Sequence, residues 1–374
     1  MALVQRPPAS QRLDAEAAAA LRRAPAARRC AAPRPRAAAA ASAEPAEPVA
    51  KSVAAFAPAT VANLGPGFDW LGCAVGGPGD TVIATALPGR PGVLEIEGIT
   101  GDGGRLSLDP AANCCGIAAR ETLRLMARAQ TAGVSLRVEK GLPLGSGLGS
   151  SAASAAAAAA AVNALFGAPL TPEALVAAGL ESEAAVSGRH ADNIAPALLG
   201  GFVLIRACAP ALDLQRLPYG AAAAAAGRAP DDLYFVLVNP RFEAPTAEMR
   251  AALSATVPMA SAVRNGAWGA SLVAGILNGD AAALGAGLGA DCIVEPVRGP
   301  LIPGFAAVKE AAGAAGAFGC TISGAGPTAV AVVGNPETAE RVKEAMIAAF
   351  VRHGRLEVNS AAVVRLDTQG ARVV

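Results

Sequence analysis

Pro143-Leu144-Gly145-Ser146-Gly147-Leu148-Gly149-Ser150-Ser151-Ala152-Ala153 is the stretch on which the fold turns. Val134–Glu139 before it alternates as a strand should, and Ala152–Leu165 after it has the composition of a helix. A strand, a glycine run and a helix start bring backbone N–H groups and the positive end of a helix dipole onto one point, and glycines let an anion's oxygens approach the main chain. The stretch reads as a phosphate cradle. It is not a Walker loop, which needs Gly-Lys-[Ser/Thr], because no lysine lies between Lys140 and Lys309. It fits the dinucleotide fingerprint poorly, because Ser150 holds the sixth position, where Gly or Ala packs helix on strand. A plain Gly/Ser turn is the competing explanation in a chain of 42 glycines. The hydroxyls of Ser150 and Ser151 favour the cradle, since a serine at such a helix start can also ligate Mg²⁺.

Working outward, Pro172–Leu180 and Ala339–Phe350 read as helices, and Leu199–Ile205 and Thr328–Val333 as buried strands. Strands and helices mix without a strict βαβ rhythm, which predicts an α+β fold. At 374 residues the chain is long enough for two domains. The alanine run and turn residues of Gly220–Asp232, just before the strand candidate Leu233–Val238, mark the boundary, giving parts 51–228 and 229–374.

Residues 1–50 differ from all that follows. They carry eight arginines, no lysine and four acidic residues, the Arg-rich, acid-poor composition of an organelle transit peptide. Plastid is the expected destination, mitochondrion the alternative, and a local basic tail the bland possibility. A formal charge of +1 with 3% aromatics offers neither an electrostatic footprint nor stacking platforms for nucleic acid. The longest apolar run, Ala152–Phe166, is too short for a bilayer and contains Asn163, so no membrane span is expected. Seven scattered cysteines without a Cys-x-x-Cys pair read as buried free thiols in a reducing compartment.

Further motifs join the loop. Ala57-Pro58-Ala59-Thr60-Val61-Ala62-Asn63-Leu64-Gly65-Pro66-Gly67-Phe68-Asp69 stands near the start, and Gly188-Arg189-His190-Ala191-Asp192-Asn193-Ile194-Ala195-Pro196-Ala197-Leu198-Leu199-Gly200-Gly201 follows the loop. Asp291-Cys292-Ile293-Val294-Glu295-Pro296-Val297-Arg298 and Ser323-Gly324-Ala325-Gly326-Pro327-Thr328 come later. In this order they resemble the homoserine kinase family of the GHMP kinase superfamily, from about residue 52 to the end. The resemblance implies a ribosomal-S5-like N-terminal domain with a left-handed crossover and a ferredoxin-like C-terminal domain. It also implies ATP, Mg²⁺ and L-homoserine as ligands, and a homodimer.

L-homoserine presents an ammonium, a carboxylate and a hydroxyl. Asp69 can present its carboxylate to the ammonium, and Asn63 can bond the hydroxyl; locally, each could as well serve only a cap or a turn. Arg250, one turn after Thr246, and Arg298 are guanidinium forks suited to a carboxylate, and the resemblance gives them that role. It also implies substrate contact for His190, Gly324 as a backbone contact, and Glu183 as the Mg²⁺ ligand beside Ser150 or Ser151. Where mevalonate kinase has a lysine in the first motif, this chain has none, which favours catalysis by alignment and metal without a dedicated strong base. The competing functions are another small-alcohol kinase of the superfamily, such as an isoprenoid-pathway kinase, an inactive metabolite sensor, and a Rossmann-type oxidoreductase.

Overall fold

The computed structural model describes residues 47–374 except residue 187. The arginine-rich leader, and with it the transit peptide expected there, lies outside the described residues, as does Cys30.

Strands β1 (Ser52–Ala62) and β2 (Leu71–Ala86) pair antiparallel along most of their length. β3 (Leu94–Thr100) leads through helix α1 (Cys114–Leu125) into β4 (Val134–Glu139), which pairs parallel with β3 and antiparallel with β2. Then come α2 (Ser150–Leu165), α3 (Pro172–Val186), α4 (Ile194–Leu199), β5 (Phe202–Ala207) and β6 (Asp213–Leu217). β5 pairs with β2 and β6, so a single sheet carries the first half of the chain.

Helix α2 is buried on nearly every side, packed among β1, β2 and helices α1, α3 and α4. Alanine makes that possible: it is the best helix former and lets neighbouring elements approach closely. A larger side chain at Ala156 or Ala158, both fully buried, would overpack this helix at a cost of about 1–3 kcal/mol.

After α5 (Ala221–Ala225) the chain changes sheet. β7 (Tyr234–Pro240) opens a second, antiparallel sheet in the order β10-β7-β9-β8. Its other members are β8 (Gly319–Ile322), β9 (Ala329–Val333) and β10 (Val358–Arg365), with α6 (Thr246–Ala251), α7 (Met259–Asn278), α8 (Ala281–Leu288), α9 (Glu295–Arg298) and α10 (Phe305–Ala314) between β7 and β8, and α11 (Pro336–Ala349) after β9. The two-residue β11 (Arg372–Val373) returns to β1.

The unbroken apolar runs of β7 and β9 have a simple cause. Phe235, Leu237, Val330 and Val332 join the core of the first sheet and of α7 and α8, while Val236, Val238, Ala329, Ala331 and Val333 pack with residues of α10 and α11. Side chains alternate faces along a strand, so a strand buried on both faces loses its polar alternation.

Several element boundaries differ from expectation by a few residues, among them the helix expected at Ala339–Phe350, which runs Pro336–Ala349, and two matter for the site. Leu199 ends α4, and strand β5 begins only at Phe202, because Gly200 and Gly201 both take positive φ (69° and 67°) and break the backbone between them. Helix α3 runs to Val186, six residues past Leu180, and so carries Glu183 within the helix. All six described cysteines are free, with Cys73, Cys115 and Cys320 buried and Cys114, Cys208 and Cys292 half-buried. Among the described residues no helix is long and apolar enough to cross a membrane.

Candidate active site

A cleft of about 590 Å³ is lined by helices and by loops that flank the strands of both sheets. One end is built by residues 143–151. Gly145, Gly147 and Gly149 all have positive φ, and Gly149 immediately precedes α2. A Cβ on Gly147 would lie 2.5 Å from the Ser323 carbonyl oxygen, and one on Gly149 would lie 2.0 Å from Thr60 Oγ1. The loop's carbonyls are fastened to the protein: Thr328 Oγ1 donates to Ser146 O (2.6 Å) and Ser323 Oγ to Gly147 O (2.7 Å). Among the described residues, the amides of Gly145, Gly147, Gly149 and Ser150 donate to no protein group. Unspent amides at a glycine-rich turn before a sixteen-residue helix fit a polyphosphate.

Ser150 and Ser151 face different ways. Ser150 Oγ donates to Leu142 O (3.3 Å), whereas Ser151 Oγ stands 3.4 Å from Glu183 Oε1. Glu183 is buried yet lines the cleft. No group of three or more His, Cys, Asp or Glu side chains that could hold a metal occurs among the described residues. One carboxylate and one hydroxyl nevertheless suit Mg²⁺, which takes few protein ligands and completes its shell with phosphate oxygens and water.

The other end is charged. Asp69, in the left-handed conformation (φ 63°), accepts two bonds from Arg250, Nη2 to Oδ1 at 2.7 Å and Nη1 to Oδ2 at 3.0 Å. His190 Nδ1 is 3.5 Å from the same carboxylate. Burial pushes the His190 pKa down, against the pull of Asp69, so the imidazole is neutral at pH 7. Arg298 is 2% exposed. Its Nε donates to Met249 O (3.0 Å) and its Nη1 to Gly324 O (3.3 Å). Burial and the charge of Arg250 lower its pKa to about 10, which leaves it cationic at neutral pH. Both guanidinium carbons lie 5.0 Å from the Phe68 ring centroid, a cation–π contact for each. Arg250 Nε is buried without an acceptor. Two cations beside the Asp69 carboxylate leave positive charge for an incoming carboxylate.

Residues 116–201 match the GHMP kinases N terminal domain and residues 261–352 the GHMP kinases C terminal domain. Homoserine kinase of Arabidopsis thaliana is 56% identical over 329 residues, covering 88% of this chain and 86% of the relative. The chain belongs to the homoserine kinases of the GHMP kinase family. The homoserine kinase of Chlorobium phaeovibrioides is 43% identical, covering 87% of this chain and all of the relative. A crystal structure of homoserine kinase from Cytophaga hutchinsonii superposes with a TM-score of 0.79 at 38% identity, over 87% of this chain and 98% of that one.

Within this homoserine kinase fold the remaining sequence candidates fall as follows. Asn63 lines the cleft, but its Nδ2 donates to Gly324 O (3.0 Å) and its Oδ1 accepts the Asp69 amide (2.8 Å), so the side chain clamps the turn that presents Asp69. Gly324 is the meeting point: its carbonyl accepts from Asn63 and Arg298, and its amide donates to Ala62 O (2.9 Å). Thr246 lines the cleft at the first residue of α6, one turn before Arg250. Asp291 accepts the amides of Ile293, Val294 and Glu295, which coils α9 and turns Arg298 inward. Leu144, Gly145 and Ser146 line the cleft, whereas Pro143 lines a smaller adjoining pocket, and Leu148, Ala152 and Ala153 have their side chains in the core. Arg189 is exposed, paired with Glu181 (2.8 Å), and does not line the cleft.

Four residues escaped sequence reasoning as contributors. Phe68 carries the two arginines, Asp192 is a buried carboxylate lining the cleft, and Lys140 and Asp80 form a buried ion pair beneath the loop. Phe68 and Asp192 sit inside the quoted motifs, which is the signal that could have drawn attention to them.

Proposed function

We propose that this chain transfers the γ-phosphoryl group of ATP to the hydroxyl of L-homoserine, forming O-phospho-L-homoserine for threonine biosynthesis. The observation that carries this is the joining, in one cleft, of an amide-lined loop at one end with Asp69, Arg250 and Arg298 at the other. An α-amino acid matches the second end, a polyphosphate the first. Phosphoryl transfer asks chiefly for alignment and for neutralisation of charge. The loop amides and the start of α2 hold phosphate oxygens. Ser151 and Glu183 hold Mg²⁺, which when bound neutralises charge on the phosphate oxygens. Arg250 and Arg298 take the substrate carboxylate, Asp69 its ammonium, and neutral His190 packs beside them as a hydrogen-bonding contact. Among the described residues no lysine ammonium is free at this end of the cleft, in keeping with alignment rather than a strong base.

The test is ADP release by the purified chain with Mg·ATP and, separately, L-homoserine, L-serine, L-threonine, mevalonate and galactose. Turnover that depends on L-homoserine is the expected result. Folded, ATP-binding protein with no turnover on any alcohol would overturn the kinase assignment in favour of a sensor.

Three attributes accompany this proposal. The chain divides into parts 51–228 and 229–374, supported by the change of sheet between Leu217 and Tyr234, with β11 returning to complete the first sheet. It resides in the plastid, supported by the composition of residues 1–50 and by the plant source of a 56% identical relative. It forms a homodimer, for which the exposed Met259 and Val263, one turn apart on α7, offer apolar surface.

A further inference from the structure

Beneath the phosphate loop, and outside the ligand contacts described above, lies a buried polar cluster. Lys140 and Asp80 form an ion pair whose side chains are 1% and 0% exposed. Asp80, on β2, stands across from Lys140, the residue following the last paired residue of β4, in continuation of the Thr81–Glu139 register. The ammonium spends its donors within the protein, on Asp80, on Ser150 O (2.8 Å) and on Ser154 Oγ (2.7 Å). The carboxylate accepts the Ser154 hydroxyl at Oδ2 (2.6 Å) and the amides of Gly141 and Leu142 at Oδ1 (3.0 and 3.1 Å).

These bonds share one geometric consequence. Gly141 and Leu142 are where the chain enters the loop, and Ser150 and Ser154 lie one turn apart at the start of α2, where it leaves. One carboxylate and one ammonium therefore grip both ends of residues 143–149 and fix the span across its mouth. A buried ion pair is a poor choice where stability alone is wanted, because apolar residues of similar volume often serve as well or better. A fully satisfied polar network instead specifies one arrangement of the backbone groups it holds. With three bonds made, Lys140 has no donor left for a phosphate.

We propose that Lys140 is a positioning residue: with Asp80 and Ser154 it sets the width of the phosphate loop and thereby the affinity for the polyphosphate of a nucleotide, without touching it. This rests on the assignment of the cleft to ATP and L-homoserine. The experiment compares the full-length chain with Lys140→Met, with the double variant Asp80→Asn/Lys140→Met, which leaves no unpaired charge, and with Ser154→Ala, which keeps the ion pair. Calorimetric affinity for Mg·ADP, KM for ATP, KM for L-homoserine, kcat and circular dichroism are recorded for each. The expected result is nucleotide affinity weakened about tenfold or more in the double variant and about threefold in Ser154→Ala, with the KM for L-homoserine within about twofold of the parent. A folded double variant that binds ADP as the parent does, or a parallel rise of both KM values, would overturn the proposal. Should the Lys140 variants not fold, Ser154→Ala decides alone, and an unchanged KM for ATP there overturns it. A parent chain that turns over no L-homoserine would instead sink the functional assignment, so the two failures are distinct.

Discussion

Asp69 and Arg250, 181 positions apart in the sequence, meet in a two-bond ion pair at 2.7 and 3.0 Å. These are the groups assigned to opposite ends of the substrate, the carboxylate to its ammonium and the guanidinium to its carboxylate. A zwitterionic amino acid can open the pair and give each partner a new counter-charge, exchanging one protein–protein pair for two protein–ligand pairs. A hydroxy acid without the ammonium offers Arg250 a carboxylate but leaves Asp69 with a lost bond and no replacement. Relative to L-homoserine, 4-hydroxybutyrate is expected to show kcat/KM lower by about 10²-fold or more. Asp69→Asn is expected to narrow that ratio by slowing L-homoserine far more than the hydroxy acid. Equal kcat/KM for both compounds in the parent chain would remove Asp69 from ammonium recognition.

The two loop serines give a cleaner separation. Ser151 faces Glu183, while Ser150 is turned to the Leu142 carbonyl. Ser151→Ala and Glu183→Gln are therefore expected to raise the Mg²⁺ concentration needed for half-maximal rate and to lower kcat, by about 10²-fold for Glu183→Gln. Ser150→Ala is expected to leave the Mg²⁺ requirement unchanged and to cost about 1 kcal/mol of stability through the lost hydrogen bond. Rates titrated against free Mg²⁺ at saturating ATP decide it. A shifted Mg²⁺ requirement in Ser150→Ala but not in Ser151→Ala would reverse the assignment.

Gly149 tests the loop itself. Its φ is +66° and a Cβ would sit 2.0 Å from Thr60 Oγ1, whose hydroxyl is held by Asn193 Oδ1 (2.8 Å). Gly149→Ala must strain the backbone and push Thr60 away, at a cost of about 1–3 kcal/mol. ADP affinity is expected to fall about tenfold or more, because the amides beside the displaced residue are those aimed at phosphate. Gly145 also has positive φ (65°), but nothing lies within 4 Å of its Cβ position. Gly145→Ala is thus expected to be the milder change in thermal melting. Equal losses at the two glycines would show that backbone strain, not the contact with Thr60, governs the loop.

How far the sequence revealed this site depends on what kind of pattern each residue leaves. The cradle was legible because glycine, strand and helix signals lie side by side in one short stretch. Arg250 and Arg298 were legible only through the motif resemblance, since nothing local distinguishes a buried arginine from a solvated one. The pairing of Asp69 with Arg250 was not legible, because it closes across 181 positions and depends on how β1, β2 and α6 are brought together. Lys140 and Asp80 were hidden for the opposite reason: Asp80 lies on β2 and Lys140 just past the end of β4, places where a charged residue ordinarily points to solvent, and only the packing of α2 over β2 and β4 buries them. The break at Gly200 and Gly201 was missed because an apolar run suits a buried helix end as well as a strand.

Asp192 supplies a dependence on pH. Burial, reinforced by the charge of Asp69 and opposed by Arg250 and Arg298, raises its carboxyl to about 7. In the unfolded chain the same group titrates near 3.9. Between those values the folded chain keeps a proton that the unfolded chain has lost, so the group's contribution is fully present below about pH 4. It drains away as the pH rises towards 7 and is flat above. The gap of about three pH units corresponds to on the order of 4 kcal/mol. His190, whose pKa is lowered, acts in the opposite sense, losing stability as the pH falls, so the difference between two chains is the useful quantity. Asp192→Asn removes the titration while keeping the shape. Relative to the parent, its stability is expected to improve from about pH 4.5 to about pH 7 and to level off above, as measured by urea unfolding at a series of pH values. A difference between the two chains that does not change with pH would show that Asp192 is already ionised in the folded protein throughout that range.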